Sequence, residues 1–285
     1  MLNINTNYAA SFASNAAKSS SQGLNSAMEK LSTGMRINYA KDDAAGQAIS
    51  TRLSAEVQGL QMASRNAADA QSMIDTAEGA LQETHNVLLR MRELAVQSAN
   101  GTLTDGDRAH TDAEFDQLVA EVTRIANNTT WAGKQLLNGD NATTALSFQI
   151  GEGAGQTIDV NIADMKATAL GVSGSGATAT AALSASGLDD VTNAQAAIGS
   201  IDAAIDSVST ARGGMGAVSN RLSSTMSNLD QIAVNLSASQ GRIQDADFAQ
   251  ETGNLAKNQI LQQAATAMIA QANASKSSVL TLVRG

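Results

Sequence analysis

Proline and cysteine are both absent from this chain of 285 residues. Average usage would supply roughly fourteen prolines in that length, so no pyrrolidine ring interrupts a helix anywhere along the sequence. The absence of cysteine excludes disulfides and thiolate metal sites. The composition therefore favours long helices that are held together by side-chain packing alone.

Aromatic residues and positive charge are also scarce. Aromatics make up 2% of the residues, and the formal net charge is −9. Because the chain has neither a basic stripe nor aromatic stacking platforms, we expect no nucleic-acid partner. Its apolar residues are mainly Ala, Leu, Ile, Val and Met, which bury little area each and suit thin helix-helix contacts repeated along a rod.

Long hydrophobic runs are missing as well. No stretch of 18 consecutive apolar residues occurs, so we expect no membrane insertion. Residues 1–10 lack the cationic region and the apolar run of a secretory signal. If the protein leaves the cell, we expect a route that does not use a cleaved Sec-type signal.

The residues that usually carry chemistry do not form a recognisable site. The two histidines, His85 and His110, stand outside any His-Glu-x-x-His metal motif. Asp42 and Asp43 are sequence neighbours, which do not face each other on a helix. The glycines of residues 151–155 lack the Lys-Ser/Thr ending of a phosphate-binding loop. We therefore expect no catalytic residue, no metal, no cofactor and no enzyme activity.

The longest regular pattern covers residues 49–99. Small and aliphatic residues recur at spacings of three and four from Leu53 to Ala95, and only Glu56 and Thr84 are unsuited to a packing seam. At 1.5 Å per residue such a helix is roughly 75 Å long. That length predicts a rod rather than a compact domain.

Further helical patterns supply partners for this helix. A second strict seam covers residues 194–236 and predicts an antiparallel partner, with Gly213 and Gly214 as a candidate bend. Between the two seams, a shorter amphipathic helix is predicted, and Thr104 with Asp107 resembles a capping box at its start. Its apolar positions are Phe115, Leu118, Val122 and Ile125.

The period changes to two in residues 145–162, which predicts a β-hairpin. Two strands alone are marginal in water, so this hairpin must lie on the helices. Residues 167–190 are mostly Gly, Ala, Ser and Thr and predict an exposed low-complexity loop. The predicted fold class is mainly α, a long antiparallel helical rod or coiled coil with a small β-hairpin region.

Both ends of the chain carry weaker helical patterns. The first half of residues 11–35 is rich in Ala and Ser and buries too little area to stay ordered alone. It is either a frayed helix or a segment that folds when a partner covers it. Gly34 is a candidate stop for this helix, and Asp42 or Asp43 a candidate cap for the next. A seam of matching length lies near the C-terminus.

Three long motifs resemble those of bacterial flagellins, in the order and spacing of that family. They are residues 31–38 with 40–47, residues 91–102, and residues 244–251 with 259–264 and 271–273. The resemblance extends over nearly the whole chain. It implies a short form of the family in which the loop at 167–190 replaces the outer domains. Tyr39 and Trp131 are bulkier than the family's usual residues, and we interpret Trp131 as a packing anchor.

The resemblance implies a division into two domains. Residues 1–39 and 242–285 would form a terminal helical coiled coil that orders on assembly in the filament core, and residues 40–241 would form the rod domain. The polymerisation seams would then consist of Leu24, Met28, Leu31, Met35, Leu261, Ala265, Met268, Ala272, Val279 and Leu282.

The resemblance also implies a function and partners. The chain would be a structural subunit that polymerises with itself into a filament for motility, after unfolded export through the flagellar type III apparatus. Its other partners would be an export chaperone, the filament cap protein and the hook-associated junction protein. Two alternatives stay open at this point: a hook-filament junction protein of the same family, and a soluble coiled-coil adaptor.

One face of the long helix matches the positions through which enterobacterial-type flagellins bind the vertebrate Toll-like receptor for flagellin. Arg90 and Leu94 are spaced i, i+4 and predict a shared face, and Arg92, Glu93 and Glu114 match too. The same face could first serve contact between neighbouring subunits. Both roles are compatible, because a surface buried in a filament is exposed in a shed monomer.

Overall fold

The computed structural model describes residues 6–142, 144–172 and 187–284, with side chains up to residue 276. Its helices are α1 (Tyr8–Thr33), α2 (Ala44–Ser98), α3 (Asp105–Asn128), α4 (Val191–Gln244) and α5 (Phe248–Arg284). Its strands are β1 (Thr130–Trp131), β2 (Lys134–Gln135), β3 (Leu146–Gln149) and β4 (Thr157–Val160). The predicted class, mainly α with a small β-hairpin region, is confirmed.

The chain divides into two compact units. Residues 1–57 and 234–285 form one, here called the terminal unit, and residues 58–233 form the other, the central unit. The domain boundaries expected from the resemblance, after residues 39 and 241, concern which residues order on assembly and stay a prediction. The long loop predicted at 167–190 falls largely on residues 173–186, outside the described residues.

The core of the central unit lies along α2. Every seam position predicted there from Leu60 to Ala95 is buried. Thr84, which looked unsuited to the seam, is 1% exposed, and its hydroxyl donates to the Ala80 carbonyl at 3.0 Å. A side-chain hydroxyl that bonds its own helix backbone is satisfied without a partner across the interface, so the seam tolerates it.

Helix α4 packs against α2 in the antiparallel sense predicted. The Arg212 Nη2 atom lies 2.9 Å from Glu78 Oε1, whereas Arg92 Nε lies 2.7 Å from Asp202 Oδ1. Rising numbers on α2 thus pair with falling numbers on α4. The α4 helix continues through Gly213 and Gly214.

Helix α3 begins with the predicted capping box. The Asp107 amide donates to Thr104 Oγ1 at 3.3 Å, and the Thr104 amide donates back to Asp107 Oδ2 at 3.2 Å. Hydrogen bonds from the Thr104 hydroxyl and amide lower the pKa of Asp107. Aspartate therefore serves where Glu or Gln is usual. The helix then buries Phe115 and Val122 in the core that α2 and α4 share.

A buried arginine closes the turn between α2 and α3. Arg108 is 7% exposed, and its guanidinium donates to the carbonyls of Ser98 at 2.6 Å, Asn100 at 3.1 Å and Leu103 at 2.9 Å. The last carbonyl groups of a helix have no donor within that helix. Arg108 supplies donors to the Ser98 carbonyl at the end of α2 and to two carbonyls beyond it. Periodicity does not reveal this contact, because α3 brings the side chain back across the turn.

The predicted hairpin is present in residues 146–160. Strands β3 and β4 are antiparallel, with Leu146 opposite Val160 and Phe148 opposite Ile158. Ile158 and Val160 are buried in the central core. The Asn66 side chain also donates to the Gln149 carbonyl at 3.0 Å. The hairpin therefore lies on the helices, as two isolated strands require.

A second, shorter hairpin was not predicted. Strands β1 and β2 pair Trp131 with Lys134, across a two-residue turn in which Ala132 has φ 48° and Gly133 has φ 81°. Such turns usually carry Asn-Gly or Asp-Gly, so Ala-Gly between two-residue strands gave no signal. Trp131 is half-buried and packs against the central core, which agrees with its interpretation as a packing anchor.

In the terminal unit, α1 packs on α5 through small side chains. The buried residues of the pair are Ala13, Ser20, Ala27, Ala265 and Ala272. Helix α1 ends at Gly34, whose φ of 72° is the left-handed conformation expected of a glycine stop.

The connection from α1 to α2 uses both predicted aspartates. Asp43 caps α2 by accepting the Gly46 amide at 2.9 Å. Asp42 accepts the amides of Asn38 and Tyr39 and so closes the preceding turn. The Tyr39 ring is about half exposed and lies 4.7 Å from the Lys41 ammonium.

The two connections of the terminal unit also bond to each other. The Arg36 amide donates to the Gln244 carbonyl at 2.7 Å, and the Ala246 amide donates to the Gly34 carbonyl at 2.9 Å. This antiparallel bridge joins segments that are far apart in sequence. It was not predicted, because local patterns do not report such pairings.

The turn between β1 and β2 provides a test of backbone strain. An L-residue in the left-handed region costs about 1–2 kcal/mol, while glycine adds a smaller entropic cost. We expect Ala132→Gly to raise the free energy of unfolding by about 0.5–1 kcal/mol. Gly133→Ala, where an added Cβ meets nothing within 4 Å, should lower it. Urea unfolding measures both, and a lower midpoint for Ala132→Gly would contradict the strain.

Candidate interaction surfaces

Arg90 lies at the centre of a charged cluster between α2 and α3. Its Nε and Nη2 atoms donate to Glu114 Oε1 at 2.9 and 2.8 Å, and its Nη1 atom donates to Glu93 Oε2 at 3.0 Å. Hydrogen bonds to Glu114, and then to Glu93, raise the pKa of Arg90. All three side chains are about half exposed or more. Ion pairs so exposed add little stability, so the cluster mainly arranges charge at the surface.

Arg92 extends the charged surface toward α4. Its guanidinium reaches Asp202 at 2.7 Å, and the hydrogen bond to that carboxylate raises the pKa of Arg92. Both side chains are nearly half exposed. Four residues of the predicted face therefore lie at the surface and are partly exposed: Arg90, Arg92, Glu93 and Glu114.

The prediction that Leu94 shares an exposed face with Arg90 is wrong. Leu94 is 1% exposed and lies in the central core with Ala95, so it is not part of the exposed surface that spacing from Arg90 suggested. Four residues advance an α-helix by one turn plus about 40°. That rotation is enough to carry Leu94 from the solvent side to the seam.

Other apolar residues take the place expected for Leu94. Leu89 and Val96 are 43% and 50% exposed, and with Arg92, Glu93 and Gln97 they line a shallow groove of about 530 Å³. We call the surface formed by Leu89, Arg90, Arg92, Glu93, Val96 and Glu114 the α2 face. The sequence missed the two apolar members, which stand between seam positions.

The terminal unit exposes most of the large apolar side chains. Ten of the fourteen exposed among the described residues belong to it: Tyr8, Phe12, Met28, Tyr39, Ile49, Val234, Phe248, Ile260, Leu261 and Met268. The other four, in the central unit, include Leu89 and Val96 of the α2 face. Exposed apolar surface is thus concentrated on and around α1 and α5.

The predicted polymerisation seams fall into two groups. Ala265 and Ala272 are buried, while Leu24, Leu31 and Met35 are half-buried within the chain. Met28, Leu261 and Met268 are exposed. The remaining two, Val279 and Leu282, lie outside the described side chains. In each seam, some side chains are buried or half-buried within the chain, and others are exposed to solvent.

Metal-binding groups and membrane-spanning helices are both missing from the part of the chain that the structure describes. Among its residues, no three His, Cys, Asp or Glu side chains are grouped so that they could hold a metal ion. None of its helices combines the length and the apolar character needed to span a bilayer. His85 is half-buried in α2, and His110 is exposed.

Comparison with known families identifies the two helical regions. The family described as the bacterial flagellin N-terminal helical region matches residues 4–142, and the bacterial flagellin C-terminal helical region matches residues 198–283. The chain belongs to the bacterial flagellin family. This flagellin is a short form without outer domains, and its family is one of structural proteins.

Relatives of this flagellin match it nearly end to end. The flagellin of Halalkalibacterium halodurans is 45% identical over 90% of this chain and 91% of its own. That of Bacillus subtilis is 43% identical over 99% and 100%, and the flagellar filament 33 kDa core protein of Treponema phagedenis is 41% identical over 99% of both. The chain is a structural subunit of the flagellar filament and serves motility.

The burial of Leu94 predicts how substitutions in this region separate. Leu94→Ala should lower the free energy of unfolding by about 2–5 kcal/mol, because it opens a cavity in the core. Arg90→Ala removes only exposed ion pairs and should change stability little. Urea unfolding of the monomer measures both. Equal, small effects of the two substitutions would show that Leu94 belongs to the surface after all.

Proposed function

We propose that this flagellin polymerises through its terminal unit, whose helices α1 and α5 form the inner part of the filament and become ordered as neighbours surround them. The observation that carries the proposal is the concentration of exposed large apolar side chains in this unit. In a filament, each of those side chains would be covered by another copy of the chain.

The packing inside the terminal unit supports folding coupled to assembly. The α1–α5 pair buries alanine and serine at its centre, and small side chains contribute little transfer free energy. Helices packed this thinly are marginal alone. Covering one exposed Phe, Leu or Met side chain contributes about 1.5–3 kcal/mol, so neighbouring subunits would supply what the internal seam lacks.

The assembly would grow by a contact between different surfaces of neighbouring copies. A heterologous contact whose rotation does not close produces an open helical polymer. The free sides of α1 and α5, which carry Phe12, Met28, Leu261 and Met268, are different surfaces. They suit an interface in which one copy's α5 side meets another copy's α1 side.

A paired substitution tests this role of the terminal helices. Replacing Leu261 and Met268 together by glutamine keeps helix-forming residues and removes exposed apolar area. We expect the monomer to keep its helical content, while the concentration needed for seeded polymerisation rises at least tenfold, as for a loss of about 1.4 kcal/mol per contact. Deleting residues 246–285 should abolish polymerisation.

Met62→Gln is the matched control, because Met62 is 50% exposed but lies in the central unit. Its polymerisation should change less than that of the paired variant. Normal filaments from the paired variant, seen by electron microscopy, would refute the proposal, and so would filaments from the truncated chain.

The remaining partners follow from the same surfaces and from the family. We infer export through the flagellar type III apparatus to an extracellular filament, with a chaperone that covers the C-terminal helix before export. Ile260, Leu261 and Met268 on α5 offer such a chaperone apolar area. The filament cap and the hook-associated junction protein would meet the same terminal helices at the two ends of the polymer. No catalytic role is proposed.

We further propose that the α2 face is a contact between subunits in the filament and, in a free monomer, a site for the vertebrate Toll-like receptor for flagellin. Arg90 presents a guanidinium between two carboxylates, and Leu89 and Val96 add exposed apolar area beside it. Arginine with neighbouring apolar side chains is a frequent centre of binding energy.

Binding to the receptor ectodomain tests the α2 face. We expect Arg90→Ala to weaken binding of the monomer about tenfold or more, and filaments to bind less than monomers. The control is Arg124→Ala, because Arg124 forms a comparable exposed ion pair with Glu121 at 2.6 Å on α3. An equal loss in both variants, or undiminished binding by filaments, would refute the proposal.

A further inference from the structure

Two Asn-Gly dipeptides occur in the sequence, Asn100-Gly101 and Asn138-Gly139. Asparagine followed by glycine is the dipeptide most open to spontaneous deamidation, because no side chain hinders the glycine nitrogen as it approaches the asparagine side chain. Both dipeptides lie in turns outside the helices and strands. Their surroundings differ in ways that bear directly on this reaction.

The two asparagine side chains accept the same local hydrogen bond. The Thr102 amide donates to Asn100 Oδ1 at 3.2 Å, and the Asp140 amide donates to Asn138 Oδ1 at 3.1 Å. Each bond polarises the side-chain carbonyl of the asparagine. This hydrogen bond therefore does not distinguish Asn100 from Asn138.

The leaving group distinguishes them. The Asn138 Nδ2 atom donates to Gln135 Oε1 at 2.5 Å and to Asp140 Oδ2 at 2.6 Å. These bonds stabilise the planar amide, and they must break before the nitrogen can depart. Within the described part of the chain, the Asn100 Nδ2 atom has no hydrogen-bond partner. Its amide is free to react.

The local charge also differs in sign. Deamidation requires the glycine nitrogen to lose its proton and places negative charge on Oδ1 during attack. Beside Asn100 lies the Arg108 guanidinium, whose Nη1 atom is 3.1 Å from the Asn100 carbonyl oxygen. Beside Asn138 lies the Asp140 carboxylate. A cation stabilises the developing negative charge and an anion opposes it.

We propose that Asn100 is a site of spontaneous deamidation in the folded chain, whereas the hydrogen bonds and charge around Asn138 protect it. A bond forms between the Gly101 nitrogen and Asn100 Cγ as the bond from Cγ to Nδ2 breaks. The proton from the Gly101 nitrogen leaves with the side-chain NH₂ group as ammonia. Water then opens the resulting succinimide at either carbonyl, which leaves aspartate or isoaspartate at position 100.

The product changes the loop that holds Arg108. Aspartate places a new carboxylate near a guanidinium whose three hydrogen bonds all go to carbonyl oxygens. Isoaspartate instead inserts an extra methylene into the main chain between α2 and α3. The fraction of deamidated Asn100 therefore rises with the age of a subunit. This inference does not depend on the proposed assembly and receptor contacts.

Incubation of the full chain at mildly alkaline pH tests the proposal. Peptide mapping by mass spectrometry, with separation of aspartyl and isoaspartyl forms, follows both dipeptides in one sample. We expect Asn100 to convert at least about tenfold faster than Asn138, because the two hydrogen bonds of the Asn138 amide must break before its nitrogen departs. Equal rates, or faster conversion at Asn138, would overturn the proposal. So would an unchanged Asn100 under conditions that convert a free peptide of residues 98–105.

Two variants separate local chemistry from general unfolding. At Gly101, an added Cβ meets nothing within 4 Å, so Gly101→Ala should fold normally, slow conversion at Asn100 and leave Asn138 unaffected. Asp140→Ala removes the negative charge beside Asn138 and one of the two acceptors of its Nδ2 atom, and leaves the bond to Gln135 in place. It should raise the rate at Asn138 toward that at Asn100, and an unchanged rate there would contradict the protective role.

Discussion

The close approach of α2 and α4 in the central unit is the contact on which the rest of that unit depends. Ala67, Ala70 and Ala77 of α2 are fully buried in the core of this unit, and small side chains let neighbouring helices pack closely. The third helix and the β3–β4 hairpin then pack on the same core through Phe115, Ile158 and other apolar residues. Absence of proline keeps both long helices unbroken, so the seam extends over many turns.

An apolar seam of small residues does not by itself fix how two helices align along their axes. Here the alignment is set by polar pairs along one edge of the seam, since a shifted register would leave each of them unmatched. The α2 members recur at multiples of seven residues. The pairs are Ser64 with Asp230, Gln71 with Ser219, Glu78 with Arg212, and Arg92 with Asp202.

Periodicity predicted those features that depend on one helix or one strand pair at a time. It identified the seam of α2 from Leu60 to Ala95 and six of the eight buried positions of α4, but not Ala197 and Ala204. Local sequence patterns also predicted the β3–β4 hairpin and the capping box, because each follows from local geometry. It failed where distant segments meet, as with Arg108 and the bridge between Gly34 and Ala246. It also failed at the edge of a seam, where a rotation of about 40° separates buried Leu94 from exposed Arg90.

In a polymer subunit, exposed ion pairs such as those of the α2 face can change partners, whereas buried packing holds the helices together. Breaking a buried ion pair leaves an uncompensated charge and costs several kcal/mol, so buried pairs resist exchange of partners. The pairs of Arg90 are about half exposed, and water compensates their charges when a partner leaves. Such pairs can therefore be rearranged against a neighbouring molecule at little cost, while the buried seam and the polar pairs between α2 and α4 keep these helices in place.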